Sequence, residues 1–189
     1  MASRAEKRKA LIEKTKAALR SDEFGADEAI GLCKELKELD EFGYAWRLLK
    51  RFRESDDIKS DDARDLEFRQ VIALCTYKDT HINDEHRLVR ALEILDEGGD
   101  LKDSDSPETL GLAGAIHKRL WQVRRDKQEL ERSLQYYRRG HGADHATGYK
   151  QKQGYPGINA AFVLDLLASL DKETNGLSVS VSSLLLRLG

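Results

Sequence analysis

Proline is nearly absent from this sequence of 189 residues: Pro107 and Pro156 are the only two. With so few helix breakers, and with aromatics at 7% against 35% charged and 40% hydrophobic residues, long charged amphipathic helices are favoured over strands. Cysteine is equally scarce. Cys33 and Cys75 lie at apolar helix positions with no C-x-x-C or Cys/His spacing, a pattern that reads as small core residues in a reducing compartment rather than as a disulfide or metal site. No uninterrupted apolar run approaches the ~20 residues that a membrane helix needs. The amino-terminal "MASRAEKRKALIEKTKAALR" is basic but lacks the apolar stretch of a signal peptide. No membrane partner is therefore expected, and the expected localisation is cytoplasmic. Nor is one sign of charge in excess. The 32 basic and 34 acidic side chains are interspersed and give a formal charge of −2, which excludes a global field that gathers nucleic acid or anionic membrane. Any electrostatic recognition is local. The length suits one domain with a substantial core, or a short repeat array sharing a continuous one, better than two compact domains.

What the sequence does contain is pairs of amphipathic helices. Behind the basic residues Arg4, Lys7, Arg8 and Lys9, the positions Leu11, Ile12, Thr15 and Leu19 trace a narrow helical stripe, so residues 1–25 are predicted to form an N-terminal capping helix. Ala29, Leu32, Cys33 and Leu36 recur at i, i+3, i+4, i+7, and after "ELDEFG" so do Ala45, Leu48, Leu49 and Phe52. A second pair carries Phe68, Val71, Ile72 and Cys75, then, beyond the polar "HINDE", Leu88, Ala91, Leu92 and Leu95.

The third pair is "SPETLGLAGAIHKRLWQVRRDKQELERSLQYYRRG". Ser106 reads as an N-cap, Pro107 as the first helical residue and Glu108 as a charge suited to the helix start. Leu110, Ala113, Gly114, His117 and Trp121 form one stripe, and Leu130, Ser133, Leu134 and Tyr137 the next, with Gly140 as a natural stop. "HGADHATGYKQKQGYP" predicts a long loop over 141–154, with Lys150 and Lys152 accessible to proteases, before a helix in "GINAAFVLDLLASLDKE". The segment 171–189 alternates like a strand at Ser178–Ser182 but fits a helix through Leu177, Val181, Leu184, Leu185 and Leu188. In an all-helical array the helix is preferred, and its apolar ending leaves open whether the polypeptide continues.

Units near the ~34-residue tetratricopeptide length place small residues where paired helices cross most closely. In the third pair Leu110, Ala113, Gly114 and His117 stand at first-helix positions usually filled by Trp, Leu, Gly and Tyr. Ser133, Tyr137 and Gly140 stand at the second-helix Ala, Phe and Ala. The first pair matches less well, with Cys33 at the glycine position. Together, "ETLGLAGAIHKRLW", "LERSLQYYRRG" and "YPGINAAFVLDLL" resemble the tetratricopeptide-like, TRAF-binding region of apoptosis signal-regulating kinases and its bacterial relatives. The resemblance covers about 26–170, is most specific between 107 and 164, and implies a helical scaffold in signalling rather than a catalyst. The expected architecture is all-α: a right-handed array of antiparallel helix pairs, a divergent tetratricopeptide-like solenoid.

Motifs for chemistry are missing. His141 and His145 would place two imidazoles on one helix face for zinc, but Gly142 and the following "ATG" argue against a helix and no third ligand is evident. His117 reads as a packed replacement for Tyr, while His81 and His86 lie around a loop. No G-x-S-x-G, Walker loop, H-E-x-x-H or dinucleotide fingerprint occurs, and the acidic pair Asp61 and Asp62 suits a helix start. Neither an enzyme nor a cofactor or metal is expected.

These observations favour a protein-binding scaffold or adaptor, which the resemblance implies to act in a signalling or stress and antiviral defence system, over a regulatory subunit of a partner enzyme or an RNA-binding helical repeat. In this register the first helices line an inner face. The candidate partner-binding residues are Lys34, Lys37, Tyr77, Lys78, Lys118 and Arg119, with Tyr155 and Asn159 from the fourth helix. Such a basic, partly aromatic groove would prefer an acidic segment or a C-terminal carboxylate, unless Glu35, Glu38 and Glu108 balance its charges. Nucleic acid is not expected as the partner.

Overall fold

The computed structural model describes residues 3–21, 24–97, 101–147 and 155–185, with the side chains of 57, 144–147 and 174–185 excepted. Among the described residues there are nine α-helices, one short 3-10 turn and no strand. The fold is an all-α array of helix pairs. It divides into two compact units, 1–103 and 104–189. Stacked repeats contact mainly their neighbours, so a chain of this kind can separate into local groups.

In the first unit, α1 (Arg4–Ala18) starts at a capping box: the Glu6 amide donates to Ser3 Oγ at 3.2 Å and the Ser3 amide to Glu6 Oε2 at 2.7 Å. It buries Leu11, Thr15 and Ala18 and packs against α2 (Ala26–Glu38) and α3 (Phe42–Arg53). The turn between α2 and α3 passes through Asp40, left-handed at φ 61°. All eight apolar positions expected to join these two helices are buried, Ala29, Leu32, Cys33 and Leu36 against Ala45, Leu48, Leu49 and Phe52. Burial at a 3.6-residue period is what makes the stripe readable.

A four-residue helix, α4 (Asp56–Lys59), comes next and buries Ile58 completely. It leads into α5 (Asp62–Lys78), whose N-cap Asp61 accepts from the amides of Ala63 and Arg64. Asn83 does the same for α6 (Asp84–Asp96). Arg53 ties this unit together, with Nε 2.7 Å from Asp65 and an Nη 2.6 Å from Glu97.

The second unit contains α7 (Pro107–Arg124), α8 (Lys127–Thr147) and α9 (Tyr155–Leu185). Ser106 caps α7, Pro107 opens it, and Arg125 closes it in the left-handed region at φ 58°. α8 packs against both α7 and α9. Two expectations are corrected here. Gly140 does not stop α8, and the loop expected over 141–154 is helical as far as Thr147. Gly140 sits so close to Leu110 and Pro156 that an added Cβ would lie 3.3 Å and 3.5 Å from theirs, so it serves as a close-packing position inside the helix. Lys150 and Lys152 fall outside the described residues. α9 continues without a break from the expected helix into the ambiguous segment.

Gly114 lies where α7 and α8 approach most tightly. A Cβ there would sit 2.9 Å from Tyr137 Cγ and Cδ1, and Tyr137 is fully buried. Gly31, on the exposed side of α2, has nothing within 4 Å of the same position. Gly114→Ala should therefore cost about 1–3 kcal/mol through overpacking, whereas Gly31→Ala should add about 0.5–1 kcal/mol through helix propensity. Urea denaturation monitored by circular dichroism reads both, and the two shifts should have opposite signs.

Candidate functional site

Of the eight candidate residues, four fall in each unit. In the first, Lys34 and Lys37 lie along α2 beside a small pocket walled by Cys33, Leu49 and Phe68. Lys34 is exposed and Lys37 half-buried. Glu35 is drawn instead toward Lys14 on α1, at 4.0 Å. Tyr77 and Lys78 end α5, with the ammonium of Lys78 5.3 Å from the Tyr77 ring centre. The guanidinium of Arg87 donates to the Tyr77 carbonyl, which helps satisfy the end of that helix.

In the second unit the structure brings Lys118, Tyr155 and Asn159 together between α7 and α9. Lys118 Nζ donates to Asn159 Oδ1 at 2.8 Å, and Asn159 Nδ2 donates to the Tyr155 carbonyl at 2.9 Å. The ammonium lies 5.7 Å from the ring centre of Tyr137 and 5.3 Å from that of Phe162, within the range of cation–π attraction. Tyr155 meets Tyr137 edge-on at 6.3 Å. Burial, with the charge of Arg119 added, pushes the Lys118 pKa below its ordinary value. Among the described residues no carboxylate is paired with it. Arg119 takes a different role: it is exposed and donates to Gln122 one turn further along α7.

Phe162 was not among the sequence candidates, and neither was Ile158. They stand 52% and 72% exposed, beside Tyr155 at 49%, and form an apolar row on α9 next to the Lys118 ammonium. Their i, i+3, i+7 spacing with Tyr155 is visible in "YPGINAAF"; only the position of α9 reveals that this stripe faces outward.

The family model described as Tetratricopeptide Repeats-Sensor matches residues 27–164. The chain belongs to this family. No curated protein and no solved structure matches it. Tetratricopeptide-type repeats generally bind other proteins and are typically non-catalytic. No described helix is long and apolar enough to cross a membrane. The helix running through His141 and His145 removes the argument that glycine keeps those residues out of a helix. The side chain of His145 falls outside the described residues, among which no three His, Cys, Asp or Glu side chains converge on a metal-sized site.

A polar cluster that sequence reading missed is built into the third tetratricopeptide pair. His117, at the position where such repeats usually carry Tyr, is buried, and its Nδ1 lies 2.7 Å from Glu129 Oε2. Glu129 is 1% exposed. Its other oxygen accepts from Arg124 at 2.8 Å and Arg132 at 3.3 Å, so the carboxylate is ionised and the Nδ1 of His117 carries the proton it donates. Tyr136 stacks on the imidazole at 5.3 Å. Burial is the largest influence on His117 and lowers its pKa, outweighing the bond to Glu129. Burial acts on Glu129 in the opposite sense, but the hydrogen bonds from His117 and Arg124 and the nearby charges overcome it and hold that pKa low.

Both folded-state values lie below the ordinary ones, so the unfolded chain binds more protons and stability rises with pH in both windows. The contribution of His117 is complete above its ordinary value of 6.5 and is lost as pH falls from there through the depressed one. That of Glu129 is complete above 4.5 and is lost below it. The melting temperature should fall in two stages on acidification. Glu129→Gln should abolish the lower stage and cost about 1–3 kcal/mol near neutrality. A variant that keeps the wild-type pH profile would remove Glu129 from this role.

Proposed function

We propose that this chain is a non-catalytic protein-binding module whose groove between α7 and α9 takes an acidic segment or a C-terminal carboxylate together with an adjoining apolar side chain. The observation that carries this reading is Lys118: an ammonium half-buried against Tyr137 and Phe162, bonded to neutral Asn159 and paired with no carboxylate among the described residues. A desolvated cation without a counter-ion is where a carboxylate from a partner gains most, through a charge-assisted hydrogen bond in a poorly screened site. The exposed row of Tyr155, Ile158 and Phe162 supplies apolar surface beside it, in the manner of an anchor pocket flanked by a charged contact. In the first unit, Lys34 and Lys37 on α2 and Lys78 against Tyr77 at the end of α5 supply further basic and aromatic side chains. Repeats of this type support the protein-binding reading. A role in a signalling or stress and defence system rests on the likeness of "ETLGLAGAIHKRLW", "LERSLQYYRRG" and "YPGINAAFVLDLL" to TRAF-binding regions, and a cytoplasmic location on the unpaired cysteine pattern and the lack of a signal-peptide stretch.

A peptide array pairing acidic segments and free C-termini with their amidated or Gln-substituted counterparts tests the proposal. Acidic members should bind preferentially, and their affinity should fall with added salt. Lys118→Met keeps the aliphatic stem packed on the rings and removes the charge, so it should weaken binding roughly tenfold while leaving the melting temperature nearly unchanged. Equal binding of neutral and acidic peptides, or undiminished binding by this variant, would move the interface elsewhere.

A further inference from the structure

α3 and α6 both pack on α5, and the wedge between them holds a cavity of about 220 Å³. Its floor is apolar: Ile72 of α5 and Ile94 of α6 are 4% and 3% exposed. Half-buried Trp46 of α3 forms one wall. Arg53 and Glu97 stand at one end, where their ion pair at 2.6 Å ties α3 to α6. An apolar protein cavity of about 150 Å³ takes up benzene, so this one has room for a planar ring system with a short polar arm.

The charged residues around the cavity are unequally engaged. Arg53 is occupied by Asp65 and Glu97, and Glu54 is turned to Lys59 at 2.6 Å. Lys50, one helical turn from Trp46 and exposed, is bonded to no carboxylate among the described residues; its ammonium lies 5.0 Å from the centre of the Trp46 ring. Arg90 lines the cavity from α6 and pairs with Glu93 at 2.8 Å and Glu97 at 3.6 Å. The Glu93 pair is surface-exposed, contributes little and leaves the guanidinium able to turn toward a ligand.

We propose that this cavity binds a small monocarboxylate that bears one planar ring system, with the ring between Trp46 and the two isoleucines and the carboxylate between Lys50 and Arg90. The class of ligand follows from volume and charge. An indole wall over an isoleucine floor favours a flat apolar body, and a lysine and an arginine on opposite helices supply charge-assisted hydrogen bonds to a carboxylate. The lining holds three cations and two carboxylates, a balance that suits one negative charge and opposes a dianion such as a phosphate ester. A ligand seated there fills the wedge and joins the second helix of one pair to the second helix of the next. The site lies within the first unit and shares no residue with the α7–α9 groove, so it goes beyond the protein-binding reading.

The chain has two tryptophans, Trp46 and Trp121, so the indole N–H signals of a proton–nitrogen correlation spectrum report the cavity and a second-unit control together. Trp121→Phe assigns them. The probe is indole-3-acetate, titrated into the full chain to about 10 mM, because a ligand of about a dozen heavy atoms binds in the millimolar range at ordinary ligand efficiency. The Trp46 signal should move and saturate while that of Trp121 stays in place. Neutral indole-3-acetamide should bind roughly fivefold more weakly, and Lys50→Met should reduce that preference while leaving the affinity for the amide unchanged. Lys118→Met should alter neither titration. N-acetyl-tryptophan carries the same ring and carboxylate as the end of a polypeptide, and its added bulk should weaken binding. Tighter binding of N-acetyl-tryptophan than of indole-3-acetate overturns the small-acid assignment in favour of a chain terminus. A Trp46 signal that fails to saturate, or equal affinity for the acid and the amide in the wild-type chain, overturns the proposal without any variant having to fold.

Discussion

The approach of α7 to α8 at Gly114 is the constraint on which the second unit rests. Only a residue without a side chain lets the Tyr137 ring lie against the α7 backbone, and Ser133 fastens the same crossing by donating to the Gly114 carbonyl at 2.7 Å. Once Tyr137 is seated, its faces and edges are committed. Tyr155 meets it edge-on, and Lys118 stretches across it toward Asn159. The geometry of the candidate groove is thus inherited from a helix-packing contact. Closeness at one glycine determines where an ammonium sits one turn further along the same helix.

The same principle accounts for what could be read from the sequence and what could not. Apolar stripes and caps were legible because they are local: Ala29 to Leu36 repeats at helical spacing, and Asp61 and Ser106 bond amides two or three residues away. Features that depend on a distant partner were not. The glycines at 140 and 142 read as punctuation, because each weakens a helix by about 1 kcal/mol. The packing of Gly140 against Leu110 and Pro156 turns that weakness into a fit. Ile58 belongs to a helix of a single turn, too short to show a period. Glu129 reads as one more solvated acid near a helix start, and its burial with His117 depends on residues in another helix.

Neighbouring letters also mislead. Lys118 and Arg119 read as a single basic patch, but adjacent residues point about 100° apart around a helix. One is drawn under α9 while the other stays on the surface of α7. The useful chemistry arises from the difference between two like residues, one desolvated and one not.

The turn between α2 and α3 has its own bearing on the molecule. Arg4 reaches Asp40 at 3.3 Å and Arg8 reaches buried Glu41, while Arg51 of α3 donates to the carbonyls of Ala18 and Ser21 at the end of α1 and just beyond it. Apolar burial on α1 is confined to Leu11 and Ala18. The first helix is therefore fastened by polar contacts as well as by apolar packing, and these two kinds of attachment respond differently to the medium. Added salt therefore acts on the polar part of the attachment of α1 and leaves the part made by buried Leu11 and Ala18 in place.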